Sequence, residues 1–149
     1  MKLFIGADHR GYEMKKKLSL WLSEWGYNFS DLGALEYEPH DDYTHYASRV
    51  ASMVAETKSA RGILLCGSGV GVDVVANKFD GVRASFGKEP AQVAAGRTDD
   101  DMNVLVIAAD FTLPKDAKHM VKVFLETKFD AESRHKKRLT DIEQIEANN

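Results

Sequence analysis

The chain has one cysteine, three prolines and two tryptophans in 149 residues. A lone thiol excludes an intrachain disulfide framework and suits a reducing compartment. No apolar run approaches the roughly 18 residues that would read as a membrane span. Neither sign of charge dominates. Twenty Lys plus Arg against 23 Asp plus Glu give a net charge of −3, without the bulk basicity of a nucleic-acid or anionic-membrane binder. There is no repeat, low-complexity tract or linker that would divide domains. The apolar stretch at the start, Leu3-Phe4-Ile5, is too short for a signal peptide, and a cytoplasmic protein is expected. The rest is ordinary globular composition, 44% hydrophobic and 29% charged. At roughly 150 residues per domain, residues 1–149 form a single domain. A chain of this size buries about 68–70% of its unfolded surface.

Short apolar runs alternate with amphipathic segments. Leu3-Phe4-Ile5 reads as a buried strand ending at Gly6. Residues 11–25 carry Met14, Leu18, Trp21, Leu22 and Trp25 at helical spacing, and Gly26 is a helix stop. A second strand is predicted over Asn28 to Leu32. An acidic loop at 34–42 precedes a helix from about Tyr43 to Lys58, with Asp42 as its N-cap. A third strand over Gly62 to Cys66 runs into a glycine turn and a helix to about Lys78. Val82 to Phe86 is a fourth strand, Glu89 to about Gly96 a short helix, and Asn103 to Ala108 a fifth strand. Helices over 114–127 and 130–147 close the chain. Strict alternation of strand and helix predicts an α/β fold, a three-layer Rossmann-like sandwich with a five-stranded parallel sheet and an extra C-terminal helix. Ligands of such sheets bind at the carboxyl ends of the strands. Attention therefore falls on Asp8-His9, on Cys66 to Gly71, on Gly87-Lys88 and on Ala109-Asp110.

The strongest local signal is Cys66-Gly67-Ser68-Gly69-Val70-Gly71, where a strand turns into a helix. Glycines let backbone approach a ligand, and free N–H groups at a helix start receive anions. It is not the dinucleotide fingerprint, because position 72 is Val and the turn follows the third strand. Nor is it a Walker A loop, since no Gly-Lys-Ser/Thr follows. The bland reading is a tight structural turn. Cys66 is either a buried structural thiol or, beside a helix start, a base or nucleophile. Asp8-His9 is either a helix cap or a pair that holds a substrate hydroxyl or moves a proton. Arg134 and Arg138 are i,i+4 on one helix face, suited to a phosphate or simply to solvent. His40 to His45 has metal-ligand residue types, which capping by Asp42 explains more simply. Asp99-Asp100-Asp101 is a turn or part of a site.

Together these residues resemble the sugar-phosphate isomerase family that contains ribose-5-phosphate isomerase B and the galactose-6-phosphate isomerase subunits. The resemblance covers nearly the whole chain. It rests on Ile5 to Gly11, Asp42-Tyr43-Thr44-His45-Tyr46-Ala47, Ile63 to Gly71, Ala76-Asn77-Lys78 with Gly81 to Ala84, Asn103-Val104-Leu105, and Arg134-His135 with Arg138. It implies an aldose–ketose isomerase without metal or cofactor, acting on a small sugar phosphate. Cys66 would be the base that carries a proton between C1 and C2, with Ser68 beside it. The loop with Gly67, Gly69, Val70 and Gly71 would stabilise the enediolate. Asp8, His9 and Tyr43 would contact the sugar, and Arg134, His135 and Arg138 the phosphate. The family's site lies between two subunits, which implies a homodimer or a dimer of dimers, and no nucleic-acid or membrane partner.

Two departures stand out. Family members of the ribose type usually carry His-Asn-Asp before the fifth strand, the His serving ring opening. Here Asp99 and Asp100 stand in place of the His and Asn, and Asp99 is expected to take over the catalytic role of ring opening, or a sugar-hydroxyl contact, with Asp100 on the substrate. Many members also have an Arg after the fifth strand where this chain has Asp110. Both changes make the pocket more negative. They leave open the same chemistry on a six-carbon sugar phosphate or a free sugar, or a non-catalytic sugar-phosphate-binding module. The retained Cys66 argues against the last, since a binding module needs no base.

Overall fold

A computed structural model describes all 149 residues. The strands are β1 (Leu3–Ala7), β2 (Ser30–Asp31), β3 (Arg61–Cys66), β4 (Ala84–Phe86) and β5 (Val104–Ala108). The helices are α1 (Tyr12–Glu24), α2 (Tyr43–Glu56), α3 (Val70–Ala76), α4 (Pro90–Asp100), α5 (Pro114–Glu126) and α6 (Ser133–Ala147). All strand pairs are parallel, in the order β2-β1-β3-β5-β4. The expected three-layer sandwich with an added C-terminal helix is therefore what the chain forms.

Side chains alternate across a strand, and the core divides accordingly. Leu3, Ile5, Ile63, Leu65, Leu105 and Ile107 meet Leu18 and Leu22 of α1, Val93 of α4, and Met120 and Phe124 of α5. Phe4, Leu64, Cys66, Val104 and Val106 face the other way, onto Ala47, Val50 and Val54 of α2 and Val72 and Ala76 of α3. β1, β3 and β5 are buried along almost their whole length. That accounts for their continuous apolar runs. α6 lies outside both cores and buries only His135.

Several element ends differ from the periodicity. β2 is only two residues long, and its Asp31 carboxylate receives the buried Lys15 Nζ at 2.5 and 2.6 Å. β4 begins at Ala84, because Arg83 is held out of the strand. Its N–H donates to Asn103 Oδ1 (2.7 Å) and its guanidinium to the Asp101 carbonyl and carboxylate. α3 stops at Ala76, where the Asn77 side chain bonds Asp73 and Ala84 instead. α4 passes through Gly96 and stops only at Asp101, in the left-handed region at φ 46°. An i,i+4 pair, Arg97 Nη1 to Asp101 Oδ1 at 2.8 Å, supports that extra turn. α6 starts at Ser133, behind a turn in which Asp130 Oδ1 accepts from Glu132 N at 3.0 Å.

Candidate active site

The carboxyl ends of β1 and β3 lie side by side, with Ala7 opposite Leu65 and Cys66 opposite Ala108 of β5. Three segments converge there. After β1, Asp8 is buried and its Oδ1 accepts from the N–H groups of Arg10 and Gly11, both at 3.0 Å. Asp8 thus organises the entry to α1, and burial pushes its carboxyl above the ordinary 3.8. After β3, Cys66 is buried and its Sγ receives the N–H of Gly69 at 3.1 Å. Gly69 has φ +78°, a conformation that costs a side-chain-bearing residue and not glycine. That twist turns its N–H back onto the sulfur. The Ser68 hydroxyl is exposed and accepts from Val70 N at 3.3 Å.

The loop glycines also make room. A Cβ on Gly71 would sit 2.6 Å from the Tyr43 ring, so Tyr43, in the first turn of α2, packs directly on the loop. A Cβ on Gly67 would collide with the Arg10 guanidinium and lie 2.8 Å from Asp110 Oδ2. Arg10 and Asp110 form an ion pair across that glycine. Asp42 caps α2 as expected, accepting from Thr44 N and Oγ1, both at 2.9 Å. These bonds hold its carboxyl below the usual range.

Asp8, His9, Tyr43, Cys66, Gly67, Ser68, Gly69, Val70 and Gly71 therefore share one end of the sheet. Asp99, Asp100, Arg134, His135 and Arg138 do not join them. Asp99 and Asp100 close α4, which leads into the amino end of β5. The length of β5 separates them from Cys66, on the order of 15 Å at about 3.3 Å per residue. The start of α6 packs beside them. Ligand atoms of Asp99, Asp130 and His135 lie within 4.8 Å of one another. Those three are the one such group with metal-ligand residue types, and His135 Nδ1 is occupied by Asp130 Oδ1 at 2.8 Å. His135 is buried there rather than displayed, whereas Arg134 and Arg138 are exposed. The His40 to His45 stretch gathers no such group.

Sequence reasoning missed two partners. His9 is held by Asp41, whose Oδ1 lies 2.9 Å from His9 N and 2.7 Å from His9 Nδ1. Arg10 is taken by Asp110. These contacts span 32 and 100 residues, and no local spacing announces them.

The sequence profile of the Ribose/Galactose Isomerase family matches residues 3–142. The chain is 37% identical over 145 residues to ribose-5-phosphate isomerase B of Escherichia coli (strain K12), covering 97% of this chain and 96% of that one. It is 36% identical over 140 residues to a probable ribose-5-phosphate isomerase B of Mycoplasma pneumoniae, covering 94% and 91%. The crystal structure of ribose-5-phosphate isomerase B from Mycoplasma genitalium with bound ribulose 5-phosphate superposes with a TM-score of 0.95 at 34% identity, covering 99% of this chain and 97% of that one. No helix is long and apolar enough to cross a membrane. On profile, sequence and fold together, the chain belongs to the ribose/galactose isomerase family of sugar-phosphate isomerases.

Proposed function

We propose that this isomerase interconverts ribose 5-phosphate and ribulose 5-phosphate through an enediolate, with Cys66 as the base and no metal. The observation that carries the reading is the Gly69 N–H on Cys66 Sγ at 3.1 Å, at the carboxyl end of β3 beside Asp8, His9 and Tyr43. As a thiolate, Cys66 takes the proton from C2 of the open-chain aldose. Negative charge moves onto the C1 oxygen, where donors of the glycine loop stabilise it. The proton returns at C1 as the C2 hydroxyl becomes the ketone, its proton passing to the C1 oxygen. Asp8 and Tyr43 orient the sugar hydroxyls. The phosphate supplies binding energy remote from the reacting carbons, and Arg134 and Arg138 receive it from a second copy of the chain, which also brings His135, Asp99 and Asp100. An adjacent second copy explains why two groups of residues suited to one substrate stand at opposite ends of the sheet.

Solvent deuterium is expected at C2 of ribose 5-phosphate during turnover. Cys66→Ala should lower turnover by about 10²–10⁴, the usual contribution of a positioned acid or base, while the substrate still binds. Near-normal turnover in that variant would refute the assignment. A second reading, the same chemistry on a six-carbon sugar phosphate, draws on the carboxylates at positions 99 and 110. A turnover panel of ribose, allose and galactose phosphates separates the two.

A further inference from the structure

We propose that His9 and Asp41 form the acid–base pair that opens the sugar ring, with His9 the catalytic residue and Asp41 its positioning residue. The inference rests on the isomerase reading above. A five-carbon aldose 5-phosphate exists in water mainly as a furanose, and enediolate chemistry needs its open chain. Opening removes a proton from the anomeric hydroxyl and delivers one to the ring oxygen. Both oxygens are bonded to C1, so one correctly placed nitrogen reaches both.

The geometry around His9 suits that task. Asp41 Oδ1 binds both the His9 backbone N–H (2.9 Å) and the ring Nδ1 (2.7 Å). A carboxylate only accepts, so Nδ1 carries the proton and Nε2 is the nitrogen left for a ligand. The Asp41 side chain is 5% exposed, whereas that of His9 is 29% exposed. The ring therefore has a fixed, charged inner edge and an accessible outer one. Asp41 Oδ2 is the single buried side-chain polar atom of the protein without a hydrogen-bond partner. Such an atom is costly to retain, and both bonds to His9 fall on the other oxygen, Oδ1.

Other groups nearby are committed elsewhere. Asp8 accepts two backbone N–H groups, and Arg10 is paired with Asp110. The Tyr46 phenol of α2 lies by Asp41, and burial together with that carboxylate pushes its pKa up, which keeps it protonated. Cys66 serves the carbon-bound proton. Imidazole is the side chain that takes and gives a proton near neutral pH.

The step balances without an external acid. Neutral Nε2 takes the O1 proton, and the O1 electron pair forms the C1 carbonyl as the bond from C1 to the ring oxygen breaks. The ring oxygen then takes the proton from Nε2. Through the step the Asp41 carboxylate offsets the transient imidazolium charge.

Two activities separate this role from general damage. Ribulose 5-phosphate cannot close a five-membered ring through its esterified 5-hydroxyl, so deuterium exchange at its C1 needs no ring opening. Turnover of ribose 5-phosphate does. In Asp41→Asn we expect aldose turnover to fall about ten- to a hundredfold, part of the usual acid–base contribution, while C1 exchange on the ketose falls less than threefold. His9→Gln should likewise lose more of its aldose turnover than of its ketose exchange, and the double variant should lose no more than His9→Gln alone. Nitrogen-15 spectra should show His9 protonated at Nδ1 in the parent and altered in Asp41→Asn. Equal losses in both activities would overturn the proposal, as would unchanged aldose turnover. If Asp41→Asn does not fold, His9→Gln decides by the same criterion. A parent protein with neither activity would overturn the isomerase reading itself, and the pair with it.

Discussion

Arg10 and Asp110 meet across Gly67, joining the loop after β1 to the loop after β5 over the turn that follows Cys66. A carboxylate at position 110 would repel a phosphate if it stood alone. Paired with Arg10, it is neutralised, and the arginine is neutralised with it. Both side chains are more than a third exposed, 55% and 37%, so the pair contributes at most about 1 kcal/mol to stability.

Releasing Arg10 should therefore change binding more than folding. In Asp110→Ala we expect KM for a sugar phosphate to fall several-fold at low salt, with kcat within a factor of two. The gain should shrink at high salt, as screening demands. Steady-state kinetics at two ionic strengths tests this. An unchanged or higher KM would mean that Arg10 does not face the phosphate.

Lys15 has the opposite character. Its side chain is 2% exposed, and its ammonium rests on both Asp31 oxygens and on the Ala34 carbonyl at 2.7 Å. This clamp ties α1 to the edge strand and to the chain that leaves it toward Asp41. Removing one partner leaves a buried charge uncompensated, which costs about 3–5 kcal/mol. Asp31→Ala should show that loss in urea unfolding. Lys15→Met in the same background should recover much of it, since the stranded charge is then gone.

Asp8 links stability to pH. Burial holds its carboxyl above 3.8, so between 3.8 and the folded-state value the native chain binds more protons than the unfolded one. Its contribution to stability accordingly falls as pH rises through that window, and the full cost stands at neutral pH. Asp8→Asn keeps an oxygen for the Arg10 and Gly11 N–H groups and removes the charge. We expect its melting temperature to exceed the parent's at pH 7, with the difference vanishing toward pH 3, while kcat/KM falls. Asp42 and Asp130 act in the other direction. Hydrogen bonds hold both carboxyls low, so their stabilisation is present above about 3.8 and lost below it. Thermal melts of parent and variant across pH 3–7 measure the Asp8 contribution by difference.

The sheet was legible from sequence because β1, β3 and β5 are buried on both faces and read as unbroken apolar runs. The glycine loop and the Asp42 cap were legible for a similar reason, as each is a local device with a fixed residue pattern. What lay outside reach was set by partners far along the chain. Arg83 shortens β4, and Arg97 with Asp101 carries α4 past a glycine that by itself reads as a stop. The site shows the same division. Cys66 and Asp8-His9 follow from strand ends, whereas Asp41 and the Arg10–Asp110 pair appear only when loops 32 and 100 residues apart meet.

The separation of Cys66 from Arg134 and Arg138 supplies the decisive test of a shared site. Cys66 stands at the carboxyl end of β3. The two arginines stand on the exposed start of α6, beside the last turn of α4 at the other end of the sheet. One chain cannot bring both to a five-carbon substrate without dismantling β5, whose residues are all buried. Two chains can, if each lays its α6 start over the other's glycine loop. Exposed Val70, Phe111 and Leu113 around that loop would then be covered. A Cys66→Ala subunit lacks the base but still offers its arginines. A subunit with Arg134→Ala and Arg138→Ala lacks the arginines but keeps its base. Each homodimer should be nearly inactive. A heterodimer has one site with both defects and one with neither, so a statistical mixture, half of it heterodimer, should recover about a quarter of parental activity, by counting intact sites. Differently tagged subunits, mixed, purified as heterodimers and assayed for turnover, give the readout, and purified heterodimers should reach about half. Full inactivity in verified heterodimers would show that Cys66 and the arginines do not serve one site across a dimer.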